Sequence, residues 1–143
     1  MGFYPVFLEL RGRRCLVVGG GGVAERRAEG LLAAGATVTV ISPTLTPTLA
    51  TLAADGRVRH EPRGFEPADL DAVDLAFAAT DRGEVNAALF GEARARGVWV
   101  NAADDPAHCT FEPGARPRDA GGARAVPHGG VRHPGPDRGR GAA

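Results

Sequence analysis

Four consecutive glycines follow an apolar run near the start of the chain, in the segment L-V-V-G-G-G-G-V-A of residues 16–24. Gly19, Gly21 and Ala24 fit the spacing G-x-G-x-x-G/A. In that motif the small residues allow a tight turn, a bare backbone against a pyrophosphate, and close packing of a helix on a strand. The N–H groups at the start of the helix favour a phosphate charge. The segment therefore predicts a dinucleotide-binding turn, and the alternative is a tight turn with a structural role only.

A threonine follows a later apolar run, in the segment A-A-T-D of residues 78–81. Ligands of open parallel sheets bind beyond the carboxyl ends of the strands, so the hydroxyl of Thr80 is a candidate cofactor contact. The alternative is that Thr80 and Asp81 only cap the helix that begins near Glu84.

The segment N-A-A-D-D-P begins at Asn101, directly after the last predicted strand. A carboxylate at the carboxyl end of a strand, beside a nucleotide, is well placed to transfer a proton. The alternative is a surface turn, because Asp-Asp-Pro is also a common turn sequence.

The choice of cofactor depends on the end of the second predicted strand, where an acidic residue usually binds the ribose 2′-hydroxyl of NAD. Here the strand ends in V-I-S-P-T, so Ser42, Pro43 and Thr44 provide neither an acid nor an arginine for a 2′-phosphate. These residues alone leave the choice between NAD and NADP open.

The elements that must position these residues alternate between strand and helix. Apolar β-rich runs predict strands, and apolar residues at helical spacing, closed by Gly35 and Gly97, predict helices. The pair Thr46-Pro47 predicts the start of a short helix. The fold class is therefore α/β, with a Rossmann-type doubly wound parallel sheet covered on both faces. The predicted strands are 14–18, 37–41, 58–60, 75–79 and 98–101, and the predicted helices are 23–34, 47–54 and 84–96.

Composition excludes several other classes. The chain of 143 residues has a formal net charge of zero, which gives no support for nucleic-acid or membrane binding. No apolar run approaches the ~20 residues of a membrane span, and the first residues lack the pattern of a signal peptide. Cys15, Cys109, His60 and His108 have no metal-ligand spacing, so no metal site is predicted. We expect a cytoplasmic protein.

Taken in order, these segments resemble one family, the precorrin-2 dehydrogenases, which also form the N-terminal part of sirohaem synthases. The resemblance extends over about residues 3–111. It rests on Y-P-V-F-L-E-L (4–10), C-L-V-V-G-G-G (15–21), V-A-E-R-R (23–27), L-L (31–32), G-A-T-V-T-V (35–40), A-T-D (79–81), V-N (85–86), V-N (100–101), Asp104 and Pro106. The family commonly ends its second strand in an apolar-Pro sequence and still uses NAD, which accounts for the missing acid.

The resemblance implies NAD-dependent oxidation of precorrin-2 to sirohydrochlorin in sirohaem or cobalamin biosynthesis, with ferrochelatase activity where a member performs both reactions. It implies that Asp104 is the catalytic residue. The predicted cofactor contacts are Gly19, Gly21, Gly22, Val23, Ala24, Ser42, Pro43, Thr44, Thr80 and Asn101.

Residues 112–143 depart from the family pattern. They hold 8 Gly and 5 Pro among 32 residues and show no apolar period, so this segment is predicted to be irregular or disordered. We expect an NAD-binding domain over residues 1–111 and a Gly/Pro/Arg-rich tail over 112–143. Because the family's dimerisation and substrate region has no match in this tail, we expect impaired activity, and homodimer formation is not expected to carry over. We hypothesise a shifted reading frame near codons 108–113.

A second function is also compatible with these residues, a non-catalytic domain that binds a dinucleotide in order to regulate a partner. Such a sensor needs neither Thr80 nor Asp104. Substitutions at these two positions therefore distinguish the sensor from the enzyme.

Overall fold

A parallel sheet organises the part of the chain that the computed structural model describes, residues 4–102. Its strands are β1 (Arg14–Val18), β2 (Thr37–Ile41), β3 (Arg59–Glu61), β4 (Leu75–Ala78) and β5 (Trp99–Ala102). The helices are α1 (Gly22–Ala33), α2 (Pro47–Ala54) and α3 (Gly83–Ala95), and a 3-10 turn spans Pro67–Leu70. The strands lie in the order β3-β2-β1-β4-β5.

The central strand β1 shows why both faces of the sheet are covered. Alternate side chains of a strand point to opposite faces, and every residue of β1 after Arg14 is buried. Cys15 and Val17 belong to one core with residues of α1 and α2, whereas Leu16 and Val18 belong to a second core with residues of α3. The predicted Rossmann-type, doubly wound α/β fold is thereby confirmed for the described residues.

The helices end at the predicted cap residues. Gly35 and Gly97 have φ values of 82° and 69°, left-handed conformations that glycine adopts without strain. At the start of α2, the N-cap residue Thr46 accepts a hydrogen bond from the Leu49 N–H through Oγ1, at 3.2 Å. Pro47 occupies the first turn of that helix. Local chemistry therefore determines where these elements begin and end.

Two strands begin one residue later than predicted. Val58 and Val98 are buried, but their N–H groups donate to the carbonyl oxygens of Leu52 (3.4 Å) and Ala93 (2.8 Å) in the preceding helices. Those bonds belong to the turns that end the helices. The sheet ladder can therefore begin only at the next residue.

The 3-10 turn Pro67–Leu70 is an element that apolar periodicity does not predict. Asp69 stabilises it, because its carboxylate accepts the Glu66 N–H at 2.8 Å and two hydrogen bonds from the Arg63 guanidinium at 2.6 and 2.9 Å. The turn buries Leu70 in the core that contains α3.

No helix within residues 4–102 is long and apolar enough to cross a membrane. Asp104, the predicted boundary at residue 111 and the predicted tail over 112–143 lie outside the described residues.

Candidate functional site

The carboxyl ends of β1 and β4 lie where the sheet changes direction. Beyond β1 the chain adds β2 and then β3 on one side, and it adds β4 and then β5 on the other. The loops after β1 and β4 therefore lead to opposite faces and leave a crevice, the usual ligand site of such sheets. The Gly19 N–H donates to the Ile41 carbonyl at 2.9 Å, and the Ala79 N–H donates to the Val18 carbonyl at 2.8 Å. The loops after β1, β2 and β4 thus begin side by side.

Gly19 makes the close turn that the motif requires. Its φ is 132°, and a Cβ atom added there would lie 2.3 Å from the carbonyl oxygen of Ala79. Both the backbone conformation and the approach of the loop after β4 exclude a side chain. Ala24, in the first turn of α1, is fully buried in the core that contains Cys15 and Val17 of β1.

Gly20 is equally constrained, although it occupies a variable position of the motif. A Cβ atom at Gly20 would lie 1.8 Å from the Thr44 carbonyl oxygen and 2.6 Å from the Ser42 hydroxyl oxygen. The Gly20 carbonyl also accepts the Thr46 N–H at 2.9 Å. The loop after β2 therefore rests directly on the glycine turn, a contact that the spacing alone does not indicate.

Gly21 and Gly22 form the open part of the turn. A Cβ atom at either residue would have no neighbour within 4 Å. Gly21 is the N-cap of α1, and no side chain caps that helix end. The first N–H groups of a helix lack partners within the helix, so this open backbone, with Val23 beside it, fits an anionic group such as a pyrophosphate.

The loop after β2 presents two of its three predicted contact residues outward. Pro43 and Thr44 are exposed, whereas Ser42 is buried and its hydroxyl donates to the Thr44 carbonyl at 2.7 Å. His60 Nε2 donates to the Ser42 carbonyl at 2.8 Å. His60 thus holds this loop from the side of β3, a role that its isolated position in the sequence does not indicate.

Thr80 uses its hydroxyl within the loop after β4. Its Oγ1 donates to Oδ1 of Asn86 at 2.7 Å and accepts the Arg82 N–H at 3.2 Å. The side-chain amide nitrogen of Asn86 donates a hydrogen bond to the Thr80 carbonyl oxygen at 3.0 Å. The N-cap of α3 is Arg82, so neither Thr80 nor Asp81 occupies the capping position. Thr80 instead joins the loop after β4 to the first turns of α3 through Asn86.

Asn101 lies within β5, where it is buried and faces the same side of the sheet as its partner Phe77 in β4. The guanidinium of Arg27, in α1, stands 5.6 Å from the centre of the Phe77 ring. The predicted catalytic acid Asp104 lies two residues beyond Ala102, the last residue that the structure describes.

Two groups with shifted pKa values, Cys15 and Asp69, lie away from the crevice. Burial, with a smaller effect of the Asp74 charge, raises the pKa of Cys15 to about 11, so its thiol is protonated at neutral pH. The Arg63 guanidinium lowers the pKa of the Asp69 carboxyl below its usual value. Within the described range no group of three or more His, Cys, Asp or Glu side chains could hold a metal ion.

The strand order, the open glycines and the crevice define a dinucleotide-binding domain of the Rossmann type. The chain belongs to the family described as putative NAD(P)-binding, whose model matches residues 6–115. The Rossmann fold and the binding of NAD(P) that the sequence predicts are thereby confirmed.

Curated relatives match the same part of the chain. The siroheme synthase of Methylobacillus flagellatus is 55% identical over 107 residues, which cover 75% of this chain and 23% of the relative. The siroheme synthase of Chromobacterium violaceum is 54% identical over 105 residues, which cover 73% of this chain and 22% of the relative. The chain thus spans less than a quarter of the length of these relatives.

Solved structures agree with the sequence matches. The precorrin-2 dehydrogenase SirC superimposes with a TM-score of 0.65 and 32% identity, covering 77% of this chain and 54% of SirC. A D-lactate dehydrogenase from Escherichia coli, at 15% identity and a TM-score of 0.51, shares the fold alone. The predicted resemblance to precorrin-2 dehydrogenases and sirohaem synthases is confirmed.

Proposed function

We propose that this chain is the NAD-binding domain of an enzyme that oxidises precorrin-2 to sirohydrochlorin. The observation that carries the proposal is the open backbone of Gly21 and Gly22 at the amino end of α1, beside the crevice. The relatives named siroheme synthase and the 32% identity to a precorrin-2 dehydrogenase support the choice of substrate. The tetrapyrrole is therefore the proposed small-molecule partner.

The cofactor would be held by backbone more than by side chains. Gly21, Gly22 and Val23 offer N–H groups to the pyrophosphate, and the exposed Pro43 and Thr44 border the adenosine side. Thr80 and Asn101 are the proposed contacts at the ends of β4 and β5. When bound, NAD⁺ accepts a hydride from the substrate.

The proposed preference for NAD over NADP rests on the arginines near the loop after β2. Arg59 donates to Glu61 at 3.0 Å, and Arg63 donates to both carboxylate oxygens of Asp69. Both cations are therefore engaged by carboxylates. A 2′-phosphate would need a cation that this loop itself does not supply.

Asp104 is the proposed catalytic residue. Oxidation of precorrin-2 removes a proton as well as a hydride, and a carboxylate that follows β5 could accept that proton from the macrocycle. Ferrochelatase activity, a cytoplasmic location and the failure of the family's homodimer to carry over to this chain stay predictions.

Two measurements test the proposal. Calorimetric titration of the 143-residue chain should show binding of NAD⁺ and weaker binding of NADP⁺. Residues 1–111 should then replace the matching segment of the Methylobacillus flagellatus siroheme synthase, and the chimera should form NADH from precorrin-2. We expect Asp104→Asn to reduce the turnover of the chimera by about a hundredfold or more, the usual scale for a lost proton-transfer group.

Asp105→Asn is the matched control, because it removes the neighbouring carboxylate and should keep most of the activity. A chain that binds no NAD⁺ would contradict the proposal. A chimera that forms no NADH from precorrin-2, and whose affinity for NAD⁺ is unchanged by Asp104→Asn and Thr80→Val, would favour the sensing domain instead.

A further inference from the structure

Glu25 and Thr46 are joined across the glycine turn. The Thr46 hydroxyl donates to Oε1 of Glu25 at 2.8 Å, although the two residues lie 21 positions apart. Glu25 belongs to the first turn of α1, three residues after Gly22, and Thr46 ends the loop after β2. The bond therefore links the two segments that border the proposed adenosine side of the cofactor.

Thr46 makes two further hydrogen bonds at the same point. Its N–H donates to the Gly20 carbonyl at 2.9 Å, and its Oγ1 accepts the Leu49 N–H at 3.2 Å. One residue thus connects the glycine turn, α1 and α2. The charge on Glu25 makes its bond the strongest of the three, because hydrogen bonds to an ionised group exceed those between neutral groups.

We propose that Glu25 is a positioning residue for the dinucleotide: through Thr46 it holds the loop of residues 42–45 against the glycine turn, so that this loop meets the adenosine half of the cofactor. The inference rests on the proposed NAD site. It supplies a role for an acid in a chain whose second strand lacks one. Here the acid lies on α1 and acts on the loop, whereas an acid at the end of the strand acts on the ribose.

The proposal differs from a purely structural role in what it predicts for binding. A structural bond would lower the melting temperature of the chain and leave the affinity for adenosine-containing ligands unchanged. A positioning bond lowers the affinity for NAD⁺ and AMP, which contact the loop. It leaves binding of inorganic pyrophosphate, which needs only the glycine turn and the start of α1, close to its original value.

The single substitution Glu25→Ala tests the acid. We expect the Kd of the 143-residue chain for NAD⁺ and for AMP to rise about tenfold, the scale of one charge-assisted hydrogen bond. The matched control is Glu29→Ala, which removes an exposed carboxylate one helical turn further along α1 and should leave both affinities unchanged. Thermal melting of each variant verifies that the chain remains folded.

Substitutions of Thr46 separate the bond to Glu25 from the cap of α2. Thr46→Ser keeps a hydroxyl that can both donate to Glu25 and accept the Leu49 N–H, so this variant should bind NAD⁺ and AMP with the affinity of the parent. Thr46→Asp keeps an acceptor for the Leu49 N–H but cannot donate to Glu25, so its affinity should fall. The double variant Glu25→Gln/Thr46→Asp restores a hydrogen bond with its direction reversed and should recover most of the affinity, to within about threefold of the parent.

The outcomes are distinct. If the parent chain binds NAD⁺ and Glu25→Ala binds it as tightly, the positioning role is wrong while the proposed function stands. The same conclusion follows if the double variant fails to recover what Thr46→Asp loses. If the parent chain binds neither NAD⁺ nor AMP, the proposed function and the inference fall together.

Discussion

Gly20 and Thr44 are in contact through their backbones, and the contact leaves no room for even a methyl group. A Cβ atom on Gly20 would lie 1.8 Å from the Thr44 carbonyl oxygen, far inside the distance at which real atoms meet. Two loops that follow neighbouring strands are thereby packed against each other.

Gly20→Ala should destabilise the chain strongly, because the loop after β2 would have to move away from the glycine turn and break the bond from the Thr46 N–H. We expect a loss of about 3 kcal/mol in the free energy of unfolding, the upper end of the typical range for overpacking. Urea unfolding measures it. Gly64→Ala is the control, because a Cβ atom there meets nothing within 4 Å and should change stability little. Equal stabilities would contradict the observed contact.

Gly21→Ala should leave the stability of the chain nearly unchanged but weaken its binding of NAD⁺. The φ of −91° at Gly21 suits any residue and the space around it is open, so the chain should fold with a loss of about 1 kcal/mol or less for the changed N-cap. The new methyl group would stand where the pyrophosphate is proposed to bind. Titration with NAD⁺ should therefore show a Kd increased by about tenfold or more. An unchanged Kd would place the phosphates elsewhere.

Asp69 should contribute to the acid stability of the chain. Its pKa is lowered in the folded protein, chiefly by the hydrogen bonds from Arg63, so the folded state binds its proton less readily than the unfolded state does. The contribution is present above the unfolded pKa of about 4 and is lost as the pH falls through the lower folded value. Unfolding free energies measured between neutral and acid pH should fall less steeply for Asp69→Asn than for the parent. Arg63→Gln should flatten the curve in the same way, and parallel curves would contradict the role of this pair.

Cys15 should resist thiol reagents while the chain is folded. Burial, followed by the Asp74 charge, raises its pKa to about 11. The contribution of the protonated thiol to the free energy of unfolding is therefore complete below the unfolded pKa of about 8.5. It is lost as the pH rises toward 11. A Cys109→Ser background isolates this thiol. Reaction with a disulfide reagent at mildly alkaline pH should be slow in buffer and fast in urea. Fast reaction of the folded chain would show that β1 is not buried as described.

The sequence predicts the local parts of this fold well. Runs such as T-V-T-V-I at 37–41 predict a buried strand, and Thr46-Pro47 and Gly35 predict helix ends, because each depends on residues that are neighbours along the chain. The strands β3 and β5 begin one residue later than predicted, after Val58 and Val98. A buried valine is equally compatible with a strand and with the turn before it, so the sequence does not distinguish the two.

The contacts that complete the site depend on pairing between distant segments. Gly20 meets Thr44 only because β1 and β2 pair in register, Val18 opposite Ile41. The bonds from Glu25 to Thr46 and from His60 to Ser42 have the same origin. No spacing rule connects such residues, so motif reasoning identifies Gly19, Gly21 and Ala24 but not the groups that hold the loop.

The central position of β1 also affects the order in which the chain can fold during synthesis. β1 is made first, and β2 can join it early, but its other neighbour is β4, whose Leu75 pairs with Cys15 across 60 positions. The helix that covers Leu16 and Val18 comes later still, at residues 83–95. Until then the nascent chain contains β1 paired with β2, with one apolar face and one edge of β1 uncovered. That interval is when a nascent chain of this topology most needs protection from aggregation.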